Sequence, residues 1–260
     1  MADNIFDLSG KVALITGGNG GIGLGMATGL ARAGADVVIW GRKPAKNERA
    51  EEVLSQYGTR VLVRRVDVGD EQEIGEAFHD ALKAMGRFDF VAANAGGGKT
   101  MPFDELTMTA WRETMTVNLD AVFCLFKQAC RHMVQRAEEG DAGGSLLVTS
   151  SIAALNNPPQ GQAYAAAKSG AIALARSIAS EYGRYGIRAN AVLPGFVRSD
   201  LSAHLQSHEK FNDAVIHKRV PLRRWGEPED FAGLAVYLAS DLSAIHTADT
   251  FVVDGGYANS

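Results

Sequence analysis

Tyr164 and Lys168 stand four residues apart in Tyr164-Ala165-Ala166-Ala167-Lys168, a stretch that reads as helix. Positions i and i+4 share a helix face, so a phenol and an ammonium would sit side by side. A cation at close range favours phenolate and shifts a neighbouring pKa by about 1–3 units. That brings a phenol down from ~10 toward use as an acid or base near neutrality. The spacing alone equally suits an exposed lysine beside a packed tyrosine, so the surrounding sequence must decide. A second chemical stretch is Gly17-Gly18-Asn19-Gly20-Gly21-Ile22-Gly23. It follows the apolar run Val12-Ala13-Leu14-Ile15 and opens a helical pattern over residues 22–33. A strand that breaks into glycine and then into helix offers free N–H groups at a positive helix end, which is a phosphate site. The glycines fit either Gly18-x-Gly20-x-x-Gly23 or Thr16-Gly17-x-x-x-Gly21-x-Gly23. Either spacing lets the backbone turn tightly and approach a pyrophosphate. The plainer reading is a flexible loop, which the flanking strand and helix disfavour.

The residue that reads an adenosine ribose should end the second strand, about twenty residues past the glycines. The chain there runs Trp40-Gly41-Arg42-Lys43. Gly41 stands where an acid would bond both ribose hydroxyls, and Arg42 suits a 2′-phosphate through a charge-assisted bidentate contact. NADP(H) is therefore predicted over NAD(H), with NAD(H) kept as possible; a solvated basic pair is the alternative. Asp67-Val68, after the third strand, suits the edge of an adenine, although Asp67 could instead cap the helix near residue 70. His204 and His208 lie four apart but lack a third ligand and the glutamate of a His-Glu-x-x-His site, so no metal is expected.

These residues need a scaffold. Strand-like apolar runs cover residues 12–15, 37–40, 61–66, 88–92, 145–149, 188–193 and 250–253. They are continuous rather than alternating, as strands covered on both faces are. Helical patterns fill residues 22–33, 45–57, 70–85, 111–138, 162–184 and 228–239. Gly34, Gly58, Gly86 and Gly186 follow four of them as left-handed caps. This alternation predicts a parallel, doubly wound sheet whose ligand site lies at the carboxyl ends of the strands. Those ends carry the glycine loop, Asn94-Ala95-Gly96-Gly97-Gly98, Ser150-Ser151 and Pro194-Gly195.

The composition, 46% hydrophobic and 22% charged over 260 residues, is ordinary for a globule. A net charge of −4 gives no support for nucleic-acid or acidic-membrane binding. No apolar run approaches the ~20 residues of a membrane span. Met1-Ala2-Asp3-Asn4 lacks the basic opening of a leader. Cys124 and Cys130 read as small buried residues rather than a pair. The expectation is a cytoplasmic protein of one domain over 1–260, with residues 198–220 forming a polar lid that excludes water.

Taken in order, Thr16-Gly17-x-x-x-Gly21-x-Gly23, Asn94-Ala95-Gly96, Asn118, Ser151, Tyr164-x-x-x-Lys168 and Pro194-Gly195 resemble the short-chain dehydrogenase/reductase family. The likeness runs from Leu8-Ser9-Gly10-Lys11 to Val253-Asp254-Gly255-Gly256. It implies a Rossmann-like sheet of about seven strands with helices on both faces. It implies Tyr164 as general acid/base, Ser151 as the hydroxyl that polarises a carbonyl, and Lys168 as the group that binds the nicotinamide ribose and lowers the tyrosine pKa. By the same likeness Asn118 positions a water, Asn94 steadies the central strands, Pro194, Gly195 and Val197 flank the nicotinamide, and Ser199 keeps a hydroxyl where threonine is common. Hydride transfer to a carbonyl leaves negative charge on oxygen, which two aligned hydroxyl donors stabilise. The activity implied is NADP(H)-dependent interconversion of a carbonyl and a secondary alcohol. The alternatives are 3-oxoacyl-carrier-protein reduction and a dinucleotide sensor without turnover. The resemblance also implies that the long helices 111–138 and 162–184 pair between subunits into a homotetramer. Ala154 and Thr247-Ala248-Asp249 depart from the family pattern; the first is expected to narrow the pocket.

Overall fold

The computed structural model describes residues 4–98 and 100–260. Most of the tetrapeptide read for a leader, residues 1–3, lies outside it. Seven strands form one sheet: β1 (Val12–Thr16), β2 (Asp36–Gly41), β3 (Val61–Arg65), β4 (Phe90–Ala93), β5 (Gly144–Thr149), β6 (Ile187–Pro194) and β7 (Thr250–Val253). All neighbours are parallel, in the order β3-β2-β1-β4-β5-β6-β7. Each strand of a parallel sheet is buried on both faces, and the pleat of β1 shows it. Val12 and Leu14 join a core with Phe126, Met133 and Ala171, while Ala13 and Ile15 join one with Met26, Leu30 and Leu238.

The described α-helices are α1 (Gly21–Arg32), α2 (Pro44–Leu54), α3 (Glu71–Met85), α4 (Met108–Met115), α5 (Ala121–Glu138), α6 (Ala153–Asn156), α7 (Gln162–Tyr182), α8 (Ala203–Gln206), α9 (Glu209–Phe211) and α10 (Ala232–Ala239). Helices α3, α5 and α7 pack on the first face, and α1, α2 and α10 on the second. From β1 the chain winds outward through β2 and β3, then returns to β4 on the other side. The strand order reverses between β1 and β4, which opens a crevice at their carboxyl ends.

The four predicted glycine caps all have positive φ, from 73° to 97°. Three expected elements differ. The run at 88–92 starts as strand only at Phe90. Before it, the Asp89 carboxylate accepts from Val12 N–H at 2.9 Å, and Phe88 donates its N–H to His132 Nε2 at 3.1 Å, so side chains rather than the ladder take these two donors. The long helix at 111–138 is interrupted by a π turn at Thr116–Asp120. The helix at 228–239 begins as a 3-10 turn, Pro228–Phe231. Residue 70, not Asp67, caps α3: the Asp70 side chain accepts from Gln72 and Glu73 N–H.

Candidate active site

The glycine loop joins β1 to α1 in a cradle where side chains have no room. A Cβ at Gly18 would lie 2.6 Å from Ile39, and one at Gly23 would run into Gly17 O and Asn94 Nδ2. Gly17 and Gly21 adopt left-handed backbone, φ 64° and 49°. Ile22 starts α1 beside them. Glycine at these positions lets the loop and the start of α1 pack directly against β2 and Asn94.

Asn94, just past β4, ties three strands together. Its Nδ2 donates to Thr16 O at 3.0 Å, and its Oδ1 accepts from Thr149 Oγ1 at 3.1 Å. Thr16 Oγ1 in turn accepts from the N–H groups of Asn94 and Ala95, both at 3.0 Å. Thr149 and Asn47 look like ordinary strand-end and helix polarity in the sequence, and their partners Asn94 and Asn19 are supplied by the fold.

At the end of β2 there is no space for an acid. The Asn19 amide lies over Gly41 and donates to Asn47 Oδ1 at 2.6 Å, while Asn47 Nδ2 donates to Gly41 O at 3.0 Å. Arg42 extends into solvent, with its nearest anion Asp67 at 3.7 Å; Val68 is buried beside it.

Ser151, Tyr164 and Lys168 meet where β5 ends against α7. The two adjacent serines divide the work. Ser150 is buried and donates to Lys168 O at 2.9 Å, which anchors α7, whereas Ser151 is half-buried, accepts from Ala153 N–H at 3.1 Å and lies near the Tyr164 phenol. Lys168 is fully enclosed; its ammonium donates to Thr149 O at 2.8 Å and lies 5.5 Å from the centre of the Tyr164 ring. Burial lowers its pKa to about 8. Burial pushes the phenol of Tyr164 up, and the Ser151 contact only partly offsets this. The expected lowering by Lys168 is thus absent in this arrangement. Its ammonium faces the ring and a carbonyl rather than the hydroxyl, so desolvation dominates.

Asn118 sits in the π turn, fully buried. Its Oδ1 accepts from Gly97 N–H at 3.1 Å, and its Nδ2 donates to Gly97 O at 2.6 Å and Thr114 O at 2.8 Å. A Cβ at Gly96 would lie 2.8 Å from Asn118 Oδ1 and 2.9 Å from Lys168 Nζ, so Gly96 marks the point where these groups converge. Across the crevice, Pro194 closes β6 and Gly195 lies against Asp254. Val197 bridges to Gly226, and Ser199 N–H donates to Ser202 Oγ at 3.1 Å.

The family profile described as Enoyl-(Acyl carrier protein) reductase matches residues 17–258. A short-chain type dehydrogenase/reductase from Mycobacterium marinum superposes with TM-score 0.91 at 30% identity, covering 99% of each chain. The chain belongs to the short-chain dehydrogenase/reductase family. Within it, the gluconate 5-dehydrogenase of Gluconobacter oxydans (strain 621H) is 32% identical over 253 residues, 97% of this chain and 96% of its own. The gluconate 5-dehydrogenase from Burkholderia cenocepacia J2315, solved with NADP and tartrate, gives TM-score 0.92 at 32% identity over 100% of both chains.

Other expectations for this short-chain dehydrogenase/reductase change with the coordinates. Ala154 lines an outer groove with Leu155, Ser169 and Arg176, on a different face of α7 from Tyr164, instead of narrowing the crevice. His208 Nδ1 accepts from Phe211 N–H at 3.1 Å, which caps α9. The segment 198–220 is less polar than its sequence suggests. Ile216 and Val220 form a small core with Trp225, and Phe196, Leu205, Phe211 and Tyr257 pack against it. No described helix is long and apolar enough to cross a membrane.

Proposed function

We propose that this chain is an NADP(H)-dependent oxidoreductase that interconverts a carbonyl group and a secondary alcohol, with Tyr164 as the general acid/base. The observation that carries the reading is the convergence of Ser151, Tyr164 and Lys168 where β5 ends against α7, with the Lys168 ammonium 5.5 Å from the centre of the Tyr164 ring. The glycine cradle fits a dinucleotide, because it leads into the N-terminus of α1, which has no side-chain cap and offers its first backbone N–H groups to an anion. Gly17, Asn19, Gly21, Ile22 and Gly23 hold the diphosphate end. Arg42, Asp67 and Val68 hold the adenosine end, and Asn94, Ala95, Gly96, Pro194, Gly195, Val197 and Ser199 the nicotinamide end. Arg42, preceded at the end of β2 by Gly41 rather than by an acid, favours NADP(H) over NAD(H). NADP(H), when bound, supplies or accepts the hydride.

The protein's own residues handle the oxygen and its proton. Tyr164 Oη donates to the developing alkoxide in reduction and takes the proton back in oxidation. Ser151 Oγ supplies the second hydrogen bond to that oxygen. Lys168 keeps a positive charge under the phenol below about pH 8, and Asn118 holds the Gly96–Gly97 wall in place. This complete proton-handling set argues against a sensor without turnover. The gluconate-type relatives favour a keto-sugar acid as substrate. The family description favours an acyl-carrier-protein thioester as the second candidate.

The test is NADPH oxidation with keto-sugar acids, ketoses, simple ketones and 3-oxoacyl thioesters. Tyr164→Phe should lose roughly 10²–10⁴ in turnover; a variant as fast as the parent would remove Tyr164 from the mechanism. We further propose one catalytic domain over 1–260 with residues 198–220 as a lid, and a homotetramer. Support for assembly comes from Met108 and Phe123, exposed at 62% and 49% on α4 and α5. Light scattering of a sizing peak should read the mass of four chains. A cytoplasmic location suits two free cysteines.

A further inference from the structure

Of the five residues from Gly17 to Gly21, four are glycine and the fifth is Asn19. The two ends of this loop are tied by backbone: Gly17 N–H donates to Trp40 O at 2.8 Å, and Gly20 O accepts from Leu24 N–H at 3.2 Å. Glycine has the most conformational freedom to lose on ordering, so the middle of the loop needs a grip. Asn19 is the one side chain there that can take it, and its Nδ2 donates to Asn47 Oδ1 at 2.6 Å. Asn47 stands on the inward stripe of α2, whose buried residues are Asn47, Ala50 and Leu54. Its exposure is only 7%. A buried amide costs stability unless it is hydrogen-bonded, and an apolar side chain would fill the stripe without that demand. The bonds of Asn47 show what the amide does there. Its Nδ2 donates to Gly41 O at 3.0 Å and to Arg64 O at 3.4 Å. Its donors therefore fix α2 to β2 and β3, and its acceptor is turned to the loop.

We propose that Asn47 is a positioning residue for the dinucleotide: through Asn19 it holds the glycine loop, before ligand arrives, in the conformation that receives the diphosphate. The inference rests on the reading of that loop as the cradle. With the grip removed, the free loop spreads over many conformations, and affinity falls by the fraction that stays competent. Ligand must then order the loop as it binds, which weakens binding without any lost contact to the ligand. The diphosphate is common to NADPH and NADH, so both are affected alike.

The experiment measures hydrogen exchange by mass spectrometry, with and without saturating NADPH, in the parent protein, Asn47→Leu, Asn19→Ala and the double variant. The same proteins are titrated with NADPH and NADH by the fluorescence of the dinucleotides. Without ligand, peptides carrying the Gly17–Gly21 amides should exchange about tenfold faster in both single variants. Saturating NADPH should return Asn47→Leu to the parent rate. Asn47→Leu should bind NADPH and NADH about tenfold more weakly, by the same factor for each. The double variant should bind both like Asn19→Ala, because Asn47 acts only through Asn19. If Asn47 serves only to join α2 to β2 and β3, the double variant binds more weakly than Asn19→Ala, and the inference falls. Weakening confined to NADPH, or loop exchange unchanged in Asn47→Leu, overturns it as well. Asn19→Ala alters a half-buried loop side chain and leaves the bonds of Asn47 to Gly41 and Arg64 in place. Unchanged loop exchange in that variant overturns the inference even if Asn47→Leu does not fold. A parent that binds neither dinucleotide removes the cradle reading itself. A parent that binds both, with affinities intact in Asn47→Leu, removes only the role of Asn47.

Discussion

A buried lysine is a liability that only function explains, and Lys168 is a clear case. Its pKa falls from 10.5 to about 8 because folding strips water from the ammonium. The folded state thus favours the neutral amine. Stability is penalised in full below about pH 8, and the penalty fades as pH rises toward 10.5. Lys168→Met should therefore abolish turnover while raising stability at pH 7 by about 1–2 kcal/mol, after loss of the Thr149 contact is subtracted. A melting curve beside an activity assay checks both halves; a lower melting temperature would show that the ammonium is not a burden. Gly96→Ala tests the neighbouring wall. The new Cβ meets Asn118, which three hydrogen bonds hold rigid, so the wall must move. Turnover should fall about 10–100-fold, since small displacements near reacting groups cost that much.

Elements are placed by contacts of the same kind. On α1, Gly25 lies against the Pro228 carbonyl and Gly29 against Ala232, which lets α1 approach α10 closely. Overpacking at such a contact costs typically 1–3 kcal/mol. Gly25→Ala should reach about 3 kcal/mol, read as a shift in the urea midpoint. Before β7, Ala248 adopts φ 62° and donates its N–H to Ala189 O at 2.9 Å. The segment Thr247-Ala248-Asp249 therefore carries local backbone strain at Ala248. Ala248→Gly should relieve it and gain about 0.5–1 kcal/mol net of chain entropy. The π turn at Thr116–Asp120 has no glycine or proline to announce it. The helix opens there where Asn118 reaches to Gly97, a partner that only the fold supplies.

For the molecule as a whole, the end of the sheet opposite the crevice sets acid tolerance. His132 accepts a hydrogen bond from Phe88 N–H, a role open only to a neutral ring. Burial, with Arg136 adding to it, holds its pKa below 6.5. The folded state thus prefers the uncharged ring. Stability is complete above about pH 6.5 and is lost as pH falls through the lower folded value. Melting temperature should drop between pH 7 and 5, and His132→Gln should flatten that drop; an unchanged slope would exclude His132 as the cause.

The amino-acid sequence alone determined the continuous apolar runs, the glycines that end helices and floor the cradle, and the residue types available for proton transfer. Those features follow from local sterics and hydrophobicity, which need few distant partners. Only the tertiary structure decided that Ser151 rather than Ser150 meets the phenol and that burial raises the tyrosine pKa. It alone showed that β4 starts late and that Asn47 finds Asn19. Each of these depends on distance and desolvation between groups far apart in the chain, quantities that residue order does not contain.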